Sequence, residues 1–100
     1  TNLQVEIDEI AERILTLGKT PLHAYSDFAQ HTSIKADKNV HDGNSCVKGV
    51  VTGLQTLIEE QRKVSALAEE AEDQGTADLL DEYVQQQEKL VWMYNAFLGK

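Results

Sequence analysis

Apolar residues recur along most of the chain at intervals of three and four positions, the spacing that gathers them on one side of an α-helix. Strand-like alternation is absent, and the one proline and most of the glycines fall between the periodic segments. The pattern predicts an all-α fold with helices at about 2–17, 21–30, 44–72 and 76–98.

Local signals agree with these bounds. Gly18 followed by Pro21 is a typical end for the first helix. Asn44 or Ser45 is expected to cap the third helix, and Thr76 is expected to cap the fourth.

The two long predicted helices each carry a stripe of nearly heptad spacing, and the short turn between them makes them antiparallel neighbours. If the turn pivots near Gln74, residues whose numbers sum to about 148 lie opposite each other. Gln61 and Gln87 then meet, and we predict that they share hydrogen bonds, since a buried amide without a partner costs about 1–3 kcal/mol. The stripes comprise Val47, Val50, Leu54, Leu57, Gln61, Val64, Ala68 and Ala71 in the third helix, and Leu80, Tyr83, Gln87, Leu90, Tyr94 and Phe97 in the fourth.

The first helix carries two acidic residues, Asp8 and Glu12, that belong neither to its polar face nor to its apolar stripe. They project from a flank that also carries Val5, Ala11 and Leu15. The polar face comprises Asn2, Glu6, Glu9, Arg13 and Thr16, and the stripe expected to pack on the long helices comprises Leu3, Ile7, Ile10, Ile14 and Leu17.

Asp8 and Glu12 permit two interpretations. Carboxylates one helical turn apart can both reach one cation, so the pair could be part of a metal site. Most such pairs are instead solvated surface. The histidines do not complete a ligand set by their positions, because His23 and His31 fall in a connection and His41 precedes the third helix, where surface or capping roles are expected.

Composition narrows the class of protein. One hundred residues suffice for one domain. The formal net charge is −8, and no run of basic residues forms a patch that could bind nucleic acid or anionic lipid. Cys46 is the one cysteine and cannot form an internal disulfide, which suits a reducing cytoplasm. No apolar run is long enough to span a membrane. We therefore expect a cytoplasmic protein with no membrane partner.

Two stretches, IDEIAERILTLGKTPLHAYSDF and DQGTADLLDEYVQQQEKLVWMYNAFLG, resemble segments of Dps-type mini-ferritins. The D-E-x-A-E-R element with its Gly-x-x-Pro connection and the Trp-Met-x-x-Ala-Phe-Leu ending carry the resemblance, which extends through nearly the whole chain. It implies a ferritin-like helical bundle with three long helices of a four-helix bundle present and a short helix in the crossover connection. It also implies identical subunits assembled into a hollow dodecameric shell that oxidises Fe(II) with hydrogen peroxide and stores ferric mineral.

The resemblance also implies which residues act. Asp8 and Glu12 match metal ligands of a ferroxidase site between two subunits, where two histidines come from the neighbouring subunit. None of the three histidines here matches those. The first helix of the bundle and the histidine-bearing part of the second are expected before Thr1, so the chain is expected to be truncated at its N-terminus.

Two further features have family counterparts. Trp92 resembles a tryptophan near such sites that could intercept a stray oxidant, although core packing is the plainer alternative. Asp78, with Asp73 and Asp81 behind it, resembles the lining of a pore through which iron enters, although most acidic clusters of this kind are only solvated faces. DNA binding, which some family members achieve through basic tails, finds no support in this acidic segment.

Another class of function fits the bare periodicity. A non-catalytic helical interaction module, or an inactive mini-ferritin fragment, would show the same stripes. A heme or di-metal protein of another kind lacks the Glu-x-x-His spacing that it would need.

Overall fold

The computed structural model describes residues 2–100, and within them the chain is all-helical. Its elements are α1 (Asn2–Thr16), α2 (Tyr25–His31), α3 (Gly43–Glu70) and α4 (Gln74–Phe97). The predicted all-α class is thus confirmed. The chain divides into two compact units, of which the first carries α1 and α2 and ends at Thr32, while the second spans Ser33–Lys100.

In the first unit, α1 ends as its sequence predicts. Gly18 adopts a left-handed conformation with φ of 87°, and the N–H of Lys19 donates to the carbonyl of Ile14 at 3.0 Å. This closes the last turn of the helix with a residue that has no Cβ to clash. α2 begins four residues later than predicted, after an extended Ala24.

The predicted faces of α1 are only partly correct. Ile7, Ile10 and Ile14 line an apolar hollow of about 240 Å³ together with Phe28 of α2. Glu6, which was assigned to the polar face, is buried at 7% exposure, whereas Ile7 is 58% exposed. Periodicity alone does not predict which face of α1 is exposed to solvent, because apolar residues occur on more than one side of the helix.

In the second unit, aspartates rather than the predicted residues cap the two long helices. Asp42 accepts a hydrogen bond from the Ser45 N–H at 2.9 Å, and Asp73 accepts from the Thr76 N–H at 3.2 Å. The Ser45 N–H holds the pKa of the Asp42 carboxyl below its ordinary value. Each predicted cap lies in the first turn because a carboxylate upstream already satisfies the free N–H groups.

α3 and α4 pair in the predicted register. Gln61 Nε2 donates to Gln87 Oε1 at 2.5 Å, and Gln87 Nε2 donates back to Gln61 Oε1 at 3.3 Å. Both side chains are buried, and Gln61 Nε2 also reaches the Leu57 carbonyl at 3.1 Å. The reciprocal pair confirms that the helices are antiparallel and that these two amides meet.

The buried stripe of α3 is partly different from the predicted one. Val50 and Val64 are 47% and 48% exposed, and Ala71 is also exposed. Both stripes contain the same residue in each group of seven. Between these shared residues, the observed stripe uses the next residue along α3, because α4 packs against that side of the helix. The buried residues are Val51, Leu54, Ile58, Gln61, Ser65 and Ala68 in α3, and Ala77, Leu80, Tyr83, Val84 and Gln87 in α4. Leu90 and Tyr94 are half-buried, and Phe97 is exposed.

Candidate metal centre

α1 presents Asp8 and Glu12 on consecutive turns of one continuous helix. Both side chains are exposed, so the carboxylates are accessible to an ion from solvent. The helix is regular around them, and the hydroxyl of Thr16 donates to the Glu12 carbonyl at 2.8 Å near its end. Two carboxylates in this arrangement are suitable oxygen ligands for a divalent cation.

The surroundings of the pair are unusually apolar for an exposed surface. Val5 and Leu15, one turn before Asp8 and just after Glu12, each expose more than half of their side chain. Large apolar residues beside charged ones on an open surface are typical of a surface that another protein covers. A protein that covered this surface would remove water from the carboxylates of Asp8 and Glu12. A bound cation would then offset the cost of burying their negative charge.

The residues that the structure describes supply no third ligand beside this pair, since no group of three or more His, Cys, Asp or Glu side chains could hold a metal ion. The three histidines are exposed and lie elsewhere in the sequence. His31 ends α2, and its Nδ1 lies 2.9 Å from the carbonyl of Asp27. His23 lies in the connection between α1 and α2, and His41 lies just before Asp42.

The three aspartates around the α3–α4 turn have partners within the hairpin. Asp73 caps α4, where its carboxylate also accepts from the Thr76 hydroxyl at 2.5 Å. Asp78 accepts from Gln74 Nε2 at 2.6 Å, and Asp81 accepts from the Ser65 hydroxyl at 2.7 Å. Asp78 and Asp81 remain exposed. The capping role of Asp73 was missed in the sequence, although aspartate directly before a helical segment is a preferred capping residue.

Trp92 lies on α4 with 69% of its surface exposed, so the hairpin does not bury it. Its ring borders a groove between α3 and α4 that also contains Ile58 and Val91. An ion pair between Arg62 and Glu88, with 2.5 Å between nitrogen and oxygen, lies along the same groove. Within this chain Trp92 is therefore a surface aromatic.

The chain matches the family described as the ferritin-like domain over residues 2–100. It is 48% identical over 96 residues to an uncharacterised protein of Haemophilus influenzae, covering 96% of this chain and 60% of that protein. It is 36% identical over 99 residues to a DNA protection during starvation protein of Porphyromonas gingivalis, covering 99% of this chain and 62% of the relative. The chain thus spans about three fifths of the length of these relatives.

This chain is also similar to a protein whose structure has been solved. The DPS protein of Vibrio cholerae O1, described as a member of a broad superfamily of ferritin-like diiron-carboxylate proteins, superposes with a TM-score of 0.93 at 45% identity. The match covers 97% of this chain and 61% of the Vibrio chain. No helix in the described residues combines the length and the apolar character needed to cross a membrane.

Proposed function

Because this chain belongs to the ferritin-like domain family, as a Dps-type mini-ferritin, we propose that it serves as an iron-storage and peroxide-detoxification subunit. The observation that carries the proposal is the exposed Asp8 and Glu12 pair on α1. The Vibrio cholerae relative is described as a member of a diiron-carboxylate superfamily, and this pair offers two carboxylates one helical turn apart that can both reach one cation.

The proposed ferroxidase site lies between two identical subunits. Asp8 and Glu12 of one subunit bind Fe(II), which is the substrate, and histidines of the neighbouring subunit complete the ligand set. The exposed apolar flank of Val5 and Leu15 supports this arrangement, because a subunit covering it would also enclose the two carboxylates. Enclosure lowers the local dielectric constant and strengthens the attraction between the carboxylates and the cation.

The proposed reaction transfers two electrons to hydrogen peroxide. Each of two Fe(II) ions gives up one electron, the O–O bond breaks, and the peroxide takes up two protons and leaves as two water molecules. Because both electrons are delivered together, no hydroxyl radical is released. The role of Asp8 and Glu12 is to bind and orient the iron and to stabilise its higher charge after oxidation.

Iron reaches the interior of the proposed shell past acidic residues at the start of α4. Asp78 is the best candidate because it matches the family's pore lining and is exposed, while Asp73 and Asp81 contribute negative charge behind it. Aligned carboxylates lower the potential along a channel and raise the local concentration of cations. Trp92 is proposed to intercept a stray oxidant, and its large exposed fraction supports a role other than core packing.

Several relatives are named for the protection of DNA during starvation. For this chain we place the protective effect in the removal of Fe(II) and peroxide rather than in contact with DNA. The reason is its formal net charge of −8, which repels the phosphate backbone.

The decisive experiment places residues 2–100 within the Vibrio cholerae DPS protein, in exchange for the segment that they match at 45% identity. Fe(II) is added without oxygen, then hydrogen peroxide, and ferric formation is followed by ultraviolet absorbance. We expect Asp8→Ala and Glu12→Ala each to slow oxidation about a hundredfold or more, because loss of even a group that only supports a metal ligand costs about 10–100-fold.

Glu9→Ala is the matched control, because Glu9 is an exposed carboxylate on the same helix that is not part of the pair. Its oxidation rate should equal that of the parent chimera. Equal rates in all three variants, or no iron-dependent absorbance in the parent, would remove the ferroxidase proposal.

A further inference from the structure

The second unit contains a groove that the proposed iron chemistry does not use. It lies between the connection 33–40 and the first half of α3, and its volume is about 450 Å³. Sites for small molecules commonly have volumes of roughly 300–1,000 Å³. The groove is therefore large enough for a small ligand and too small for a macromolecule.

The groove results from close packing of the connection on α3. A Cβ atom built at Gly49 would meet Asp37 Oδ2, the end of a side chain, so the carboxylate of the connection lies directly against the backbone of α3. At Gly53 the corresponding atom would lie 3.8 Å from Ile34 Cγ2, an ordinary contact. Further along α3, the Ser33 hydroxyl donates a hydrogen bond to Glu60 Oε1. The connection is thus anchored on both sides of the groove.

Lysine side chains from both walls line the groove. Lys35 comes from the connection and Lys48 from α3, and in the part of the chain that the structure describes neither ammonium forms an ion pair. Lys48 is also close enough to Asp42 to help lower the pKa of that carboxyl, although the Ser45 N–H contributes more. Two lysines lining one groove are notable in a chain with only 9 basic residues against 17 acidic ones.

The groove also holds one carboxylate and several hydroxyl groups. Asp37 lies against Gly49, so the lining has two positive charges and one negative charge. The Thr56 hydroxyl donates to the carbonyl of Thr52 at 3.1 Å. The Thr52 side chain is exposed in the groove and can donate to a ligand.

We propose that this groove binds a small anion of the phosphate class, either free phosphate or a phosphate monoester. Lys35 and Lys48 neutralise its charge, and Thr52 donates a hydrogen bond to it. The carboxylate of Asp37 lowers the net charge of the lining to about +1 and so weakens the attraction for the anion. Its lining includes neither Asp8 nor Glu12, and binding of the anion does not require iron.

The test is calorimetric titration of the intact chain with inorganic phosphate in the absence of iron. We expect Lys35→Ala and Lys48→Ala each to weaken binding about tenfold, since each removes one charge-assisted contact. Asp37→Asn should strengthen binding severalfold by removing the repelling charge while keeping the size of the side chain. Far-ultraviolet circular dichroism establishes that each variant keeps the helical content of the parent.

Lys63→Ala provides the matched control, because Lys63 is an exposed lysine of α3 that does not line the groove. Tighter binding of glycerol phosphate than of phosphate would identify a monoester as the ligand, and equal binding would identify the free anion. The proposal is overturned if phosphate does not bind, if Lys63→Ala weakens binding as much as Lys48→Ala, or if Asp37→Asn binds no better than the parent.

Discussion

Among three consecutive glutamines of α4, only Gln87 is buried, while Gln85 and Gln86 are exposed. Gln87 and Gln61 satisfy each other through two hydrogen bonds across the hairpin. A pair of this kind specifies register more than it adds stability, because its groups were hydrogen-bonded to water in the unfolded chain. A shift of the hairpin by one turn would separate the two amides and leave both buried without partners.

We therefore predict that Gln87→Ala destabilises the chain by about 1–3 kcal/mol, because Gln61 Oε1 loses its hydrogen-bond donor in a buried site while Gln61 Nε2 keeps only the Leu57 carbonyl. The free energy of unfolding is measured by urea denaturation with circular dichroism. Gln86→Ala, one residue away and exposed, should change it by less than about 0.5 kcal/mol. Replacing both amides, as Gln61→Leu with Gln87→Leu, should recover most of the loss. If the double variant is no more stable than Gln87→Ala, the cost does not come from the unpaired amide.

At the scale of the element, the α3–α4 turn depends on one residue in an unfavourable conformation. Glu72 has φ of 60°, in the left-handed region that glycine adopts without cost. Its conformation lets the N–H of Asp73 donate to the Ala68 carbonyl at 2.7 Å, which closes the end of α3. Asp73 then caps α4, so the two long helices are joined with few unsatisfied backbone groups.

Glu72→Gly should stabilise the chain by about 0.5–1 kcal/mol, because glycine relieves the left-handed strain but has more freedom to lose on folding. Glu69→Gly is the comparison, since Glu69 lies in the regular part of α3. It should destabilise the chain by roughly 0.5–1 kcal/mol. The two melting temperatures should therefore move in opposite directions, and a shift of the same sign would contradict the role given to Glu72.

At the scale of the whole molecule, large apolar side chains remain exposed on each of the three long helices. They include Val5 and Leu15 on α1, Leu67 on α3 and Trp92 on α4. Such surfaces can be covered by neighbouring subunits, or by the roughly two fifths of the relatives' length that this chain does not match. The exposed apolar residues are compatible with the proposed association of identical subunits, in which the surface around Asp8 would take part in the interface as well as in the proposed iron site.

For the chimera with the Vibrio cholerae protein, light scattering should give particles of about twelve chains, a closed assembly. Val5→Asp places a charge beside Asp8 at the proposed interface and should reduce the particle size, because burying an unpaired charge is costly. Val5→Thr keeps the shape of the side chain without a charge and should leave the particle size unchanged. Monomers or dimers in the parent chimera would contradict the shell.

Much of the fold was predictable from the sequence because its causes are local. Helical periodicity located the four helices, and the short connection between the last two set their register closely enough to bring Gln61 and Gln87 together. The spacing of Asp8 and Glu12 likewise follows from helix geometry alone, so the candidate ligands could be named without coordinates. Helix geometry does not determine which groups complete their ligand set. The proposal assigns those groups to a neighbouring subunit.

Only the tertiary structure decided which surfaces are covered. The α3 sequence offers two apolar stripes that share Leu54, and α4 packs on the one with Ile58 rather than the one with Val50. Glu6 is buried although its position looks polar, and the groove at Gly49 forms because the connection that precedes α3 packs there. The spacing of residues in the sequence predicts the direction in which each side chain leaves its helix. Whether that side chain is buried depends on which other parts of the chain pack against it.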